Sequence, residues 1–405
     1  MINAGELVRL FRDRFGQAPR WVVRAPGRVN LIGEHTDYNE GFVMPLAIEH
    51  AVWIALAPRD DRRVVVESLD FGGRVEFPID EVAAAQPGSG HPLQPSHRSG
   101  QVWPAYIAGV TWSLAQDGWP LRGWEGLIHG DVPIGAGLSS SAAIEVATAY
   151  AFAASAGWEP KVPSLARACQ RAENQWVGVG CGIMDQLVSL AGKKGHAILI
   201  DCRSLEYRPV ILPAEVVVVI MDTGTRRGLA DSEYNSRRSQ CEEAARLLGV
   251  RALRDIGWDN WPQCELVLPE PWRRRARHVV SENHRTLQAV EAMEQRALDR
   301  LGRLLVESHQ SLRDDFEVSS PALDTIVAIA QAQPGCFGAR MTGAGFGGCA
   351  IALVEAARAR EFAQSVEAEY RRRTNLEPKL YVSAPAYGAQ ILSVDELSPP
   401  GSENP

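Results

Sequence analysis

The sequence lacks most of the features that would place it outside the ordinary folded, soluble proteins. It has no basic excess: 42 Lys and Arg stand against 49 Asp and Glu, a formal net charge of −7, so no overall field draws it to nucleic acid. Its seven cysteines are scattered and odd in number, with no C-x-x-C pair and no Cys/His group at zinc spacing. That pattern excludes a disulfide scaffold and a zinc ribbon. It fits reduced, mostly buried thiols in a cytoplasmic protein. The densest apolar stretch, Val216–Met221, is far too short to span a bilayer. The opening MINAGELVRLFRDRFG has no apolar signal-peptide segment, and its Leu7, Leu10 and Phe11 have helical spacing instead. No internal repeat is present. Apolar and charged fractions are ordinary for a folded protein, and 405 residues suggest two domains.

What is present centres on Asp131–Tyr150. The apolar run Leu127–Val132 reads as a strand, Gly135 and Gly137 follow, and Ser139, Ser140 and Ser141 precede a run of helix formers. Strand, Gly-rich turn, helix is the order that presents backbone N–H groups and a positive helix end to an anion. The stretch lacks the Lys of a G-x-x-x-x-G-K-[ST] loop, and an ordinary Ser-capped helix would have the same outline. A second glycine cluster, Gly178–Gly182, opens a short helix with Asp185 in its first turn. A third, Thr342–Gly348, lies between two apolar strands. Near the N-terminus, Arg28, Asn30, Glu34, His35, Asp37 and Asn39 crowd into twelve residues. Polar groups this dense need solvent or a partner. A sugar held by carboxylates and imidazole is one solution, a metal site using Glu34, His35 and Asp37 is another, and a solvated turn is the third.

Along the chain, helices are expected at Glu6–Phe15, Trp103–Leu114, Ser164–Trp176 (carrying Glu173), Asp231–Leu248, Arg273–Leu305 with a continuation to Phe316, and Glu355–Arg373. Strands are expected at Trp21–Val23, Val43–Pro58, Arg63–Phe77, His196–Asp201, Val216–Met221, Phe337–Met341, Cys349–Val354 and Pro378–Ser383. Pro87–Gly100 reads as a loop, Arg273-Arg274-Arg275 as a solvated face, and 398–405 as a disordered tail. A composition shift places the domain boundary near 205–215, giving units 1–210 and 211–397. Strands alternating with helices make the class α/β.

These motifs carry a family resemblance. Gly27–Asn39, reading GRVNLIGEHTDYN, is similar to the galactokinase signature, Pro133–Ala142 resembles the phosphate loop of the wider small-metabolite kinase superfamily, and Met341–Gly348 resembles its third motif. Ala344 stands where many galactokinases have Gly. The resemblance runs from about Phe11 to Leu392. It implies a two-domain α/β (α+β) fold, with a ribosomal-protein-like first domain, a ferredoxin-like second domain with added helices, and the site in the cleft between them. It implies a monomeric enzyme that transfers phosphate from ATP, with Mg²⁺, to the C1 hydroxyl of α-D-galactose. Asp185 matches the catalytic base and Arg28 the arginine that orients it. Glu34, His35, Thr36, Asp37, Gly182 and Tyr234 match sugar contacts. Gly135, Ala136, Gly137, Leu138, Ser139, Ser140 and Ser141 match the triphosphate loop, and Ser141 and Glu173 the magnesium positions. With these roles the metal reading of Glu34, His35 and Asp37 falls away. Two related readings remain: a kinase of N-acetylgalactosamine or arabinose, and a non-catalytic galactose sensor. Sensors of this ancestry carry a lesion in the Ser–Ala part of the phosphate loop, whereas Ser139–Ala143 is intact here.

Overall fold

β-branched and aromatic residues dominate the strands, and whether they alternate or run continuously reports how many faces of each sheet are covered. In the computed structural model, which describes residues 2–95, 102–225 and 230–394 (side chains of 230–232 excepted), the strands are β1 (Trp21–Asn30), β2 (Phe42–Val43), β3 (Pro45–Arg59), β4 (Arg63–Ser68), β5 (Arg74–Pro78), β6 (Gly123–Gly130), β7 (His196–Asp201), β8 (Tyr207–Ile211), β9 (Val216–Asp222), β10 (Cys336–Met341), β11 (Cys349–Glu355), β12 (Lys379–Ser383) and β13 (Gln390–Ser393). The helices are α1 (Ala4–Phe15), α2 (Ile79–Ala84), α3 (Trp103–Gln116), α4 (Ser140–Ala156), α5 (Val162–Arg171), α6 (Met184–Ala191), α7 (Ala230–Leu247), α8 (Trp261–Cys264), α9 (Trp272–Glu294), α10 (Leu298–Asp314), α11 (Pro321–Gln331) and α12 (Ala359–Thr374).

The first sheet has the order β13-β1-β3-β6-β4-β5, antiparallel except for the β4–β6 pair. Its central strands are buried on both faces, in alternation. Val22, Ala55, Ala57 and Leu127 meet Leu7, Val8 and Phe11 of α1, while Val23, Ile54, Leu56 and Ile128 join the main core with α3 and α4. That is why β1 and β3 read as near-continuous apolar runs. Helix α4 is apolar nearly all round, as a helix in the middle of a core must be. The second sheet, β10-β11-β9-β12, is fully antiparallel. Its Val219, Met221, Ala350 and Ala352 face a second core with α11 and α12, and its Val218, Ile220, Ile351 and Leu353 join the first core. The two halves therefore share apolar contact along one face. A small sheet, β2-β7-β8, flanks the first.

Several expectations are corrected. β1 continues from Val23 to Asn30, so Arg24, Arg28 and Asn30 project from a strand rather than a loop. The helix expected over Ser164–Trp176 is α5 followed by a π-helical turn, Ala172–Val177, which carries Glu173. The helix expected over Arg273–Leu305 is two helices broken at Gln295–Ala297, where Arg296 takes a left-handed conformation. Arg275 is not on a solvated face. It is buried and donates to Gln240 and to the Asp315 carbonyl, and it pairs with Glu317. The chain after Ser383 also returns to the first sheet, where β13 pairs with β1, so the unit that begins near 211 does not keep its own C-terminus. The expected tail at 398–405, and 96–100 of the expected loop, lie outside the described residues. Among those described, no cysteine is joined in a disulfide, and no helix is long and apolar enough to cross a membrane.

Candidate active site

The turn between β6 and α4 is held against β1 by one close approach. A Cβ on Gly27 would lie 2.6 Å from the Leu138 carbonyl, so only glycine lets the strand pass under the loop. The next residue, Arg28, donates its backbone N–H to that carbonyl at 3.1 Å. Its guanidinium spans three acceptors: Nε to Asp185 Oδ1 at 2.7 Å, Nη2 to Asp185 Oδ2 at 2.6 Å, and Nη1 to the Gly137 carbonyl at 2.7 Å. Ser139, at φ 59°, turns its hydroxyl onto Asp185 Oδ2. Burial works against the Arg28 charge, but Asp185, Glu34 and Asp37 around it hold it above the usual guanidinium value. Strand, loop and the first turn of α6 are thus locked together by one arginine.

Above this clamp opens a cleft of about 760 Å³. On one side it is lined by Gly135, Gly137, Leu138, Ser139, Ser140 and Ser141, and by Glu173 from the π-helical turn. On the other it is lined by Glu34, His35, Asp37, Gly182 and Tyr234. Gly182 is glycine because a Cβ there would overlap the Asp37 carboxylate. Burial first, then the Asp185 charge, push Asp37 up to about 7. Glu34 is buried against Arg340, whose Nη2 donates to its Oε2 at 2.8 Å. Burial raises its carboxyl, and Arg340 and Arg28 pull it back. The backbone amides of Gly33 and Glu34 are pinned by Glu282 of α9, at 3.0 and 3.2 Å. His35, left-handed at φ 62°, bonds Tyr38 through Nδ1 at 2.9 Å and packs on Tyr234 and Phe316. Burial keeps the Tyr234 phenol well above its ordinary range, so it stays a neutral donor.

Two expected residues do not reach the cleft. Thr36 is fully buried, and its hydroxyl serves the Gly33 and Phe42 carbonyls at 2.9 and 2.7 Å, so it shapes the turn rather than lining it. Ala136 packs into the core beneath the loop. Ala344 lines the cleft beside Gly343, but it is not among the positive-φ residues, unlike Gly343 and Gly345 on either side. Its departure from Gly therefore needs no strained backbone.

Other parts were not legible. Arg340 lies just ahead of the third motif, and only the fold reveals that it reaches Glu34, 306 positions away in sequence. Cys181, Tyr106 and Gln186 belong to the site through packing, which no spacing announces. Beside the serine loop lies a second, largely apolar cavity of about 360 Å³. It is lined by Val52, Trp103, Tyr106, Ile128 and Ile144, and shares Ser140 and Ser141 with the cleft. Among the described residues no three His, Cys, Asp or Glu side chains converge as a metal cluster, so Glu34, His35 and Asp37 do not form one.

Comparison with known proteins agrees with this geometry. Residues 9–58 match the galactokinase galactose-binding signature, 105–193 the N-terminal domain of the GHMP kinases, and 289–372 their C-terminal domain. A galactokinase of Roseiflexus sp. (strain RS-1) is 47% identical, over 94% of this chain and 95% of its own length. A galactokinase of Chloroflexus aggregans is 45% identical, over 98% of this chain and all of its own length. The solved structure of Lactococcus lactis galactokinase complexed with galactose superposes with a TM-score of 0.88 at 34% identity, covering 95% of this chain and 99% of that one. Methanococcus jannaschii mevalonate kinase shares the fold alone, at a TM-score of 0.61 and 18% identity. The first sheet with its covering helices and the second, ferredoxin-like antiparallel sheet are the two halves of that fold. Near-complete coverage at this identity makes the chain a member of the galactokinase family.

Proposed function

We propose that the protein phosphorylates α-D-galactose at the C1 hydroxyl with ATP, giving α-D-galactose 1-phosphate and ADP. One observation carries this reading: a carboxylate clamped between a polyol-sized polar pocket and a Gly/Ser anion loop. An ionised carboxylate has about four lone-pair positions. Arg28 takes two on Asp185 and Ser139 a third, which leaves one aimed at an incoming hydroxyl. Asp185 accepts the C1 hydroxyl proton as the oxygen attacks, a step typically worth about 10²–10⁴-fold. Arg28 holds that carboxylate in place and shares the charge that develops as the phosphoryl group is transferred.

Glu34, His35, Asp37 and Tyr234 pair with the remaining sugar hydroxyls, while Gly182 leaves room beside the ring. An epimer would leave one of these buried groups unpaired, and sites built this way discriminate strongly. The exposed amides of Gly135–Ser141 and the start of α4 suit the phosphates, and the neighbouring apolar cavity suits a planar base. Ser141 and Glu173 fit a magnesium ion. The Glu173 carboxylate is buried at the cleft that the Ser141 hydroxyl also lines, a pair of hard oxygen donors to which phosphate oxygens and water can be added. The ion, when bound, neutralises phosphate charge.

The test is coupled ADP release over a panel of sugars with wild type and Asp185→Asn. The expected result is turnover on galactose, none on glucose, and loss in the variant. Faster turnover on N-acetylgalactosamine or arabinose would overturn the substrate. Galactose binding without turnover would overturn the enzymatic reading in favour of a sensor.

A further inference from the structure

The first turn of α6 carries two functional faces. Asp185 points at Arg28 and Ser139. Gln186, the next residue, points the other way, into a fully buried pocket between α4 and the π-helical turn. There its Nε2 donates to Glu173 Oε2 at 2.7 Å and to Glu145 Oε2 at 3.0 Å. The nitrogen end of the amide faces both carboxyl groups. Glu173 Oε2 also accepts from Cys181 Sγ at 3.1 Å, and that thiol reaches the Asn174 side chain at 3.2 Å. One oxygen of Glu173 is therefore held by two donors on the protein side. The other oxygen remains for the cleft. The π-helical turn adds a residue to the helix and swings Glu173 out of the register α5 would impose.

We propose that Gln186, with Cys181 as second donor, is a positioning residue that fixes the Glu173 carboxylate for a divalent cation. The same turn of α6 then sets both the base and the cation ligand, so their separation is built into one rigid element. This inference rests on the reading of Glu173 as a cation ligand. Its logic is that of hydrogen-bonded partners behind a metal ligand, whose loss commonly weakens metal binding about 10–100-fold. Glu145 stands on the far side of the same amide. It is buried, and burial followed by the Glu173 charge drives its carboxyl well above the usual range. Without the amide between them, the two carboxyl groups would face each other directly.

The experiment uses Mn²⁺ as the probe, its binding to the enzyme–ADP complex followed by electron paramagnetic resonance. Galactose binding to nucleotide-free protein is measured in parallel. Gln186→Met keeps the side chain's volume and removes the donor. It should weaken Mn²⁺ binding about 10–100-fold and leave galactose affinity within about threefold. Cys181→Ala should weaken Mn²⁺ binding less, by about 3–10-fold, and serves if the first variant does not fold. Glu173→Gln is the control. If it weakens Mn²⁺ binding while both other variants match wild type, the positioning role is overturned and the ligand reading stands. If Glu173→Gln leaves Mn²⁺ binding unchanged, the ligand reading fails and the proposal fails with it.

Discussion

The two Gly-rich loops at 135–141 and 343–348 are alike in composition and opposite in use. In the first, Gly135 is exposed and Gly137 half-buried, and the loop touches β1 mainly through Gly27, Arg28 and Leu138. Its other side is open to the cleft. In the second, only Gly343 and Ala344 reach the cleft. A Cβ on Gly345, at φ 81°, would run into the Val318 carbonyl, to which the Phe346 amide already donates at 2.6 Å. Gly348 pairs with Thr223 through its carbonyl at 3.0 Å. Just ahead of the loop, Thr342 Oγ1 donates to the Asn30 carbonyl at 3.1 Å, and Arg340 donates to the Asn30 and Leu31 carbonyls and to Glu34. The first loop is a cradle open to the cleft and the second a clasp that ties the C-terminal sheet to β1. Glycine leaves one loop open and lets the other pack closely.

The clasp should break most severely. Arg340→Met removes one partner of a fully buried ion pair and takes a donor from the Asn30 and Leu31 carbonyls, which costs about 3–5 kcal/mol. Urea unfolding should show that loss. Arg340→Met/Glu34→Gln should recover part of the stability without recovering galactose binding. Full stability in the single variant would mean the clasp is not structural. The cradle should break differently. Arg28→Lys keeps the charge but cannot span both Asp185 oxygens and the Gly137 carbonyl. It should lower kcat by about 10²–10³-fold. Its galactose KM should stay near wild type, and a rise in KM at constant kcat would place Arg28 in sugar binding instead.

Much of this contrast was hidden in the sequence. The strand–glycine–serine–helix order around Gly135–Ser141 and the turn before Asp185 were readable because turn chemistry and helix starts are local. So were the strands flanking 342–348. The different roles of the two loops were not, because they depend on what lies across from each glycine: Leu138 over Gly27, Val318 over Gly345. Arg275 departs from the solvated face expected of 273–275, because it finds the Asp315 carbonyl and Glu317 about forty residues on, and nothing local marks Arg340, whose partners lie more than three hundred residues away. The break at 295–297 carries no Gly or Pro, and the π-helical turn at Ala172–Val177 opens within a good helical pattern. The motif alone points Thr36 to the sugar site, whereas its hydroxyl is used locally on the Gly33 and Phe42 carbonyls.

Asp37 offers a smaller, pH-dependent break on the sugar side. Its carboxyl, ordinarily at 3.8, is raised to about 7, first by burial and then by Asp185. A raised folded-state value means the folded protein holds a proton that the unfolded chain has released. The stabilisation is complete below the unfolded value near 4 and is lost as pH rises through about 7. Thermal unfolding should therefore show wild type losing stability between about pH 4 and 7 relative to Asp37→Asn, which cannot ionise, and no further relative loss above that. Parallel pH profiles for the two proteins would show that Asp37 titrates normally.

The smallest effect belongs to Ala344, which stands in the second loop where many galactokinases have Gly. Gly343 and Gly345 sit at φ 82° and 81°, whereas Ala344 between them does not take a positive φ. The loop thus asks for freedom at two of the three positions and gains nothing from it at the third. Ala344→Gly should lower stability by about 0.4–1 kcal/mol, because the glycine gives the unfolded chain conformations that the folded loop does not use. Chemical denaturation resolves a change of that size through the midpoint at constant m-value. A stabilising Ala344→Gly would mean that the alanine is strained in place, and that backbone freedom in the clasp extends across all three residues.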